Sequence, residues 1–210
     1  VLRRSEVITV GIDGGGLDDL LGLSITGRDK NTRQWLSWSH AWAHEIMLER
    51  RKSEISKLRD FEKAGDFTIV KRVGQDTEQV AEYVSRIYEA DLLDKIGIDP
   101  AGVGQILDAM VEAGIPPDLV VGISQGWRLG GAIMTTERKL AEGVLVHGGQ
   151  PLMAWCVGNA RVEPKGNAIL ITKQASGKGK IDPLMALFNA VSLMALNPEA
   201  KKQDYQVFFI

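Results

Sequence analysis

The chain has 210 residues, is 44% hydrophobic and carries a formal net charge of −2. That size suits one large α/β domain or at most two small ones, and the 23 glycines with an ordinary charged content argue against a disordered chain. The lone cysteine, Cys156, excludes an intramolecular disulfide and any cysteine-built metal site. The most apolar stretch, the 14 residues of PLMALFNAVSLMAL with Asn189 and Ser192 inside it, reads as a buried helix rather than a membrane span.

In chain order, Val7–Asp13 (VITVGID) is a β-branched run that stops at three glycines, as a buried strand does before a turn. Leu21–Thr26 and Gln34–Ala41 read as two further strands joined by the polar turn GRDKN, so three antiparallel strands are expected in succession. Glu45–Lys63 is charged and helix-favouring, and Phe67–Val70 is a short extended segment. Asp76, with Gln79 three residues on, reads as an N-cap and capping box. Val80, Val84, Ile87 and Tyr88 follow at helical spacing. Leu93–Asp99 is the next strand. Val103, Ile106, Leu107, Met110 and Val111 make a helical stripe capped by Gly114, and Leu119–Ser124 is a further strand. A helix is expected over Ala132–Glu142, a strand over Asn167–Thr172 and an apolar helix over Ile181–Leu196; Ala154–Ala160 is ambiguous and Gln174–Lys180 reads as a loop. The later strands, each preceded by a helix, are expected to run parallel, within one domain spanning 1–210.

Charge is unevenly spread. Residues 28–72 hold 11 Lys/Arg against 7 Asp/Glu and residues 161–180 hold 5 against 1, whereas residues 73–118 hold 2 against 10. Two basic segments and one acidic block suit a chain that handles a polyanion together with metal ions, although solvated faces give the same pattern. VLRRSEVITV has no apolar signal region, so secretion is not expected. It opens almost directly on a strand without an initiator methionine, as a fragment of a longer chain would.

Asp13, Asp99 and Asp182 are the candidate catalytic and metal-binding residues. VGID before GGG and IGID before PAG place two aspartates at strand ends. On neighbouring parallel strands about 4.8 Å apart these carboxylates would repel unless a cation bridged them. The carboxyl edge of an open α/β sheet is also where ligands bind. Asp182, heading the last helix, brings a third carboxylate to the same edge. An all-carboxylate set favours Mg²⁺ or Mn²⁺, and two such ions can activate water and stabilise the leaving oxygen of a phosphodiester. Each aspartate also has a purely structural explanation: Asp182-Pro183 fits an N-cap with proline at the first helical position, Asp99-Pro100 opens a turn, and Asp13 shapes one.

Lys173, Lys178 and Lys180 precede Asp182 and are candidate DNA-backbone contacts, as is His147 in LVHGGQPLMAW; a flexible solvated loop and a loop histidine without a role are the plainer alternatives. Asp18 and Asp19 follow the glycines and read as surface residues with a possible water-mediated reach to a metal. Ser124-Gln125-Gly126 either approaches substrate or turns the chain, and His40 and His44 beside Trp38 and Trp42 read as strand packing. No phosphate-loop pattern GxxxxGK[ST] occurs.

From Ile96 onward the strings IGIDPAGVGQILDAMVEAGI, VVGISQG, LVHGGQPLMAWCVGNARVE and ILITKQASGKGKIDPLMALFNAV, with GIDGGGLDDLLGLSITGRD before them, resemble the nuclease domain of the large terminase subunits of tailed bacteriophages. The resemblance is weak between residues 35 and 75. It implies a ribonuclease H-like α/β fold, a mixed sheet of three antiparallel strands followed by parallel ones, flanked by helices. It also implies two-metal cleavage of double-stranded viral DNA during genome packaging, with Mg²⁺ or Mn²⁺ held by Asp13, Asp99 and Asp182. Asp99 departs locally from the family's pattern, with Asp94 as its substitute. The implied partners are an N-terminal packaging ATPase in the same chain, the small terminase subunit and the portal or procapsid. The implied setting is the cytoplasm of the infected or prophage-carrying bacterium, with no membrane contact. Two other classes compete: a sugar kinase or actin-like ATPase, in which GIDGGG is a phosphate-binding turn, and a non-catalytic nucleic-acid-binding module of the same fold.

Overall fold

The computed structural model describes residues 1–166, 168–173 and 179–201. Strands β1 (Ser5–Gly14), β2 (Leu21–Asp29) and β3 (Trp35–His44) form the expected antiparallel meander. β4 (Phe67–Val70) pairs parallel with the end of β3. β5 (Leu93–Ile98) lies parallel to β1, and β6 (Val120–Gly122) lies parallel to β5. β7 (Leu145–His147) pairs parallel with the start of β3. The sheet order is β4-β3-β2-β1-β5-β6, with β7 on the β4 flank of β3. The helices are α1 (Glu45–Arg50), α2 (Ile55–Lys63), α3 (Gln75–Glu89), α4 (Val103–Glu112), α5 (Gly130–Ala141), α6 (Pro151–Asn159) and α7 (Asp182–Met194). A separate hairpin joins β8 (Ala160–Lys165) to β9 (Ala168–Lys173). Among the described residues no helix is long and apolar enough to cross a membrane.

Several elements differ from the sequence reading. The single helix over 45–63 is broken, because Arg51 leaves the helical region (φ −119, ψ 52) and a 3-10 turn, Lys52–Glu54, separates α1 from α2. Gly74, not Asp76, caps α3, in a left-handed conformation (φ 85) that glycine adopts without strain. Gln79 is drawn away from any capping box by accepting a hydrogen bond from Trp42 Nε1 at 2.7 Å. The ambiguous stretch over 154–160 is the end of α6 up to Asn159, with Ala160 opening β8, and the histidine of LVHGG ends a short edge strand rather than lying in a loop. His40 is core, as its neighbours suggest. Its ring stacks on Trp38 and meets Trp42 edge-on at 4.5 Å, and burial pushes its pKa down to about 4.

Two apolar layers sandwich the sheet. Ile8, Val10 and Ile12 of β1 and Leu21, Leu23 and Ile25 of β2 pack with Val80, Val84 and Ile87 of α3 and Ile106 and Met110 of α4. The alternate residues of β1 and β2 are small on the opposite face, because strand side chains alternate. There α7 lies against them. Thr9 Oγ1 donates to the Ala190 carbonyl at 2.9 Å. A Cβ at Gly11 would come within 1.9 Å of the Ala186 carbonyl oxygen, and one at Gly22 within 2.6 Å of the Asp182 carbonyl carbon.

The helix runs antiparallel to β1 in matched steps. Two strand residues advance about 6.6 Å and four helical residues about 6 Å, so Thr9 meets Ala190, Gly11 meets Ala186, and the end of β1 meets Asp182. Gly11→Ala is therefore expected to lift α7 and cost about 1–3 kcal/mol, read as a lower urea midpoint. A midpoint equal to that of the unsubstituted chain would mean the helix is not held at this distance.

Candidate functional site

Ile12 of β1 pairs with Ile98 of β5. The next residues, Asp13 and Asp99, therefore leave the carboxyl edge of the sheet side by side, on strands about 4.8 Å apart. They line a cleft of about 230 Å³ with Gly14 and Gly15. Gly14, Gly15 and Gly16 have φ of 85, 113 and 105, a backbone path that side-chain-bearing residues resist. This turn folds the chain back so that the Gly15 N–H donates to the Leu20 carbonyl at 2.8 Å. Asp99 Oδ1 accepts from the Ala101 N–H at 3.0 Å.

Asp182 enters from the start of α7. Its backbone is pressed on Gly22, and a Cβ at Gly14 would stand 3.0 Å from its Oδ1. It is the first helical residue, with Ile181 as the cap, so its carboxylate is not spent as an N-cap. Asp182 is 3% exposed, and its Oδ2 is buried without a hydrogen-bond partner among the described residues. Asp13, Asp99 and Asp182 thus converge on one edge from β1, β5 and α7.

The electrostatics are those of crowded carboxylates. Burial, then the charges of Asp182, Asp99 and Asp19, push Asp13 up to about 8. Burial and the charge of Asp19 raise Asp182 to about 7. Asp19 behaves oppositely: burial works to raise it, but the hydrogen bond from Lys180 and the charges of Lys173 and Lys180 hold it below the usual carboxylate range. Among the described residues, no three His, Cys, Asp or Glu side chains stand as a ready-made chelate. An oxygen-only donor set with one orphaned buried oxygen nevertheless suits a hard divalent cation, which would draw the carboxylates inward.

Lys180 is not placed as an outward DNA contact. Its ammonium is buried, donating to Asp19 Oδ1 at 2.6 Å and to the Asp18 carbonyl at 2.8 Å. Lys173 is partly exposed, yet faces the acidic cluster, 3.6 Å from Asp19 Oδ2 and 4.0 Å from Asp182 Oδ1. Lys178 lies outside the described residues. His147 is exposed but remote. It pairs with Ser37, which is level with Thr26 and Thr9. That is three strands across from β1 and four residues below Asp13, about 14 Å by about 13 Å in strand spacing and rise. Asp94 sits at the opposite end of β5 from Asp99, so it cannot substitute for it.

The sequence reading missed the weight of Asp19. It treats Asp19 like Asp18, which is exposed with Arg51 Nε 3.7 Å away. The only sequence signal separating them is that Asp19 directly precedes Leu20, a fully buried residue.

Residues 5–198 match a family model described as the endonuclease domain of the terminase large subunit. Protein YmfN of Escherichia coli (strain K12) is 22% identical over 161 residues, covering 76% of this chain and 34% of its own length. The chain thus spans about a third of the curated relative it matches. Among solved structures, the large terminase of bacteriophage HK97 superposes with a TM-score of 0.74 at 22% identity, over 90% of this chain and 39% of that one. The large terminase nuclease of thermophilic phage G20c with bound magnesium gives 0.53 at 16% identity, over 89% and 80%. The large terminase nuclease domain of bacteriophage SPP1 with bound Mn gives 0.50 at 16% identity, over 92% and 89%. These likenesses establish the fold, with its mixed sheet of antiparallel then parallel strands. The family match leaves the kinase-like interpretation of GIDGGG without support.

The raised carboxyls set a pH dependence. An unfolded Asp13 titrates near 3.8 and the folded one near 8. The native state therefore holds the extra proton between those values. The stability that this provides is complete at the acid end and is lost as pH rises through the folded value. Without divalent ions, the chain is expected to melt lower at about pH 8.5 than at about pH 6. Asp13→Asn should flatten that decline and raise the alkaline melting temperature. A variant that melts lower than the parent at the alkaline pH would contradict the charge crowding.

Proposed function

The chain belongs to the terminase large-subunit endonuclease family, and on that premise we propose that it is a Mg²⁺- or Mn²⁺-dependent endonuclease cutting double-stranded viral DNA during genome packaging by a two-metal-ion mechanism. The observation that carries the proposal is the meeting of Asp13, Asp99 and Asp182 at one sheet edge, with the Asp13 and Asp182 carboxyls raised and Asp182 Oδ2 unpartnered among the described residues. These three would hold the ions. When bound, the ions supply charge neutralisation at the phosphodiester and activation of the attacking water. Two of the similar phage nuclease structures hold magnesium and manganese, in keeping with an oxygen-only ligand set.

The chain's own residues do the rest by placement. The glycine turn after Asp13 and the tight seat of α7 on Gly22 fix where the carboxylates stand. Asp13 and Asp182 must give up their protons before an ion binds, so cutting is expected to strengthen from neutral to mildly alkaline pH. Lys180 neutralises Asp19 within the protein and keeps it in place. Lys173 faces the acidic cluster but is partly exposed, and in this reading it would pair with a DNA phosphate brought near the cut. A packaging ATPase in the same polypeptide, the small terminase subunit and the portal as partners, and the host cytoplasm as the setting belong to the same proposal.

Asp13→Asn and Asp182→Asn are expected to abolish Mn²⁺-dependent plasmid cleavage. The loss should exceed the roughly 10–100-fold that follows removal of a ligand's outer hydrogen-bond partner, and the thermal transition should be retained. Unchanged cutting by both variants, or no cutting by the parent chain with either metal, would refute the assignment.

A further inference from the structure

Asn189 stands out in α7 as a fully buried amide, 0% exposed, within the largely apolar stretch Pro183–Met194. Burying an amide is unfavourable unless its hydrogen bonds are made, and here they are. Asn189 Nδ2 donates to the Ile12 carbonyl at 2.9 Å, and Asn189 Oδ1 accepts from Gln125 Nε2 at 3.0 Å. Gln125 Nε2 also donates to the Ile123 carbonyl at 3.0 Å, and the Ile123 N–H in turn donates to the Ile98 carbonyl at 2.8 Å. The residues reached are telling: Ile12 immediately precedes Asp13, and Ile98 immediately precedes Asp99. Asn189 itself lies seven residues after Asp182, two turns along the same helix face. One chain of hydrogen bonds therefore ties together the three elements that carry the carboxylates. Gln125, from the Ser-Gln-Gly string after β6, turns inward to make this link rather than outward to a substrate.

We propose that Asn189, bridged by Gln125, is a positioning residue of the metal site that holds the ends of β1 and β5 in fixed relation to the start of α7. Both amides are engaged with protein groups and neither is among the residues lining the cleft beside Asp13 and Asp99, so in this proposal the pair acts through the carboxylates. Apolar packing would seat α7 equally well, but without direction, whereas the amide pair fixes an orientation. Mg²⁺ demands near-ideal octahedral geometry, so a loosened site should serve it worse than Mn²⁺. The inference rests on the nuclease assignment above.

The test compares the 210-residue chain with Asn189→Leu, which keeps the volume and removes the bridge, and with Gln125→Ala, which removes only its outer half. Three quantities are read: Mn²⁺ affinity by calorimetry, the ratio of Mg²⁺- to Mn²⁺-supported plasmid cleavage, and the melting temperature. Asn189→Leu should weaken Mn²⁺ binding by roughly 10–100-fold and lower the Mg²⁺:Mn²⁺ ratio. Gln125→Ala should shift both in the same direction by less, and the double variant should add little to Asn189→Leu, as expected of one coupled unit. A lower melting temperature with parental Mn²⁺ affinity and an unchanged ratio would make the bridge merely structural and overturn the proposal. Should Asn189→Leu not fold, Gln125→Ala decides by the same two readouts. A parent chain that neither binds Mn²⁺ nor cuts would bring down the nuclease assignment and the bridge with it, whereas an active parent with unaltered variants brings down the bridge alone.

Discussion

The site depends on how closely α7 lies on β1 and β2. The strand face beneath the helix carries Thr9, Gly11 and Gly22, and at two of these positions even a methyl group would collide with the helix backbone. Such proximity lets main chain meet main chain, so the start of α7 is located by backbone rather than by flexible side chains. Because two strand residues and four helical residues advance by nearly the same length, the match persists along the whole contact. It ends with Asp182 beside the turn that follows Asp13.

That arrangement carries an electrostatic cost that the fold partly offsets. Asp13 and Asp182 are forced into one another's field and into poor solvation, and their raised pKa values express this. Asp19 escapes because Lys180 is buried against it and Lys173 lies beside it. Removing one partner of such a pair leaves an uncompensated buried charge, which explains why a lysine close to Asp182 in sequence is not available to DNA. The remaining frustration sits on Asp182, whose Oδ2 has no hydrogen-bond partner among the described residues. Under the proposed function a divalent cation would answer that deficit.

The departures from the sequence reading share a physical origin. Asp76 and Gln79 have the spacing of a capping box, but Gln79 finds Trp42 across the sheet and Gly74 takes the cap. His147 lies in one of the strings on which the family resemblance rests, yet it ends an edge strand far from the carboxylates, because β7 pairs with the start of β3 rather than its end. Lys180 looks like part of a basic loop until its burial is known. In each case the local pattern is sound and a partner distant in sequence overrides it.

The amino-acid sequence by itself determined the class of the fold, the ends of β1 and β5, the apolar last helix and three candidate aspartates, since these follow from local periodicity, from glycine turns and from residue types in short strings. Only the tertiary structure decided that the three aspartates converge, that Asp19 and Lys180 form a buried pair, and that Asn189 and Gln125 bridge the elements holding the carboxylates. Those facts depend on pairings between residues far apart in the chain, such as Ile12 with Asn189 and Asp19 with Lys180. No local pattern encodes them, because hydrogen bonds and charge are satisfied by whichever groups packing brings within reach.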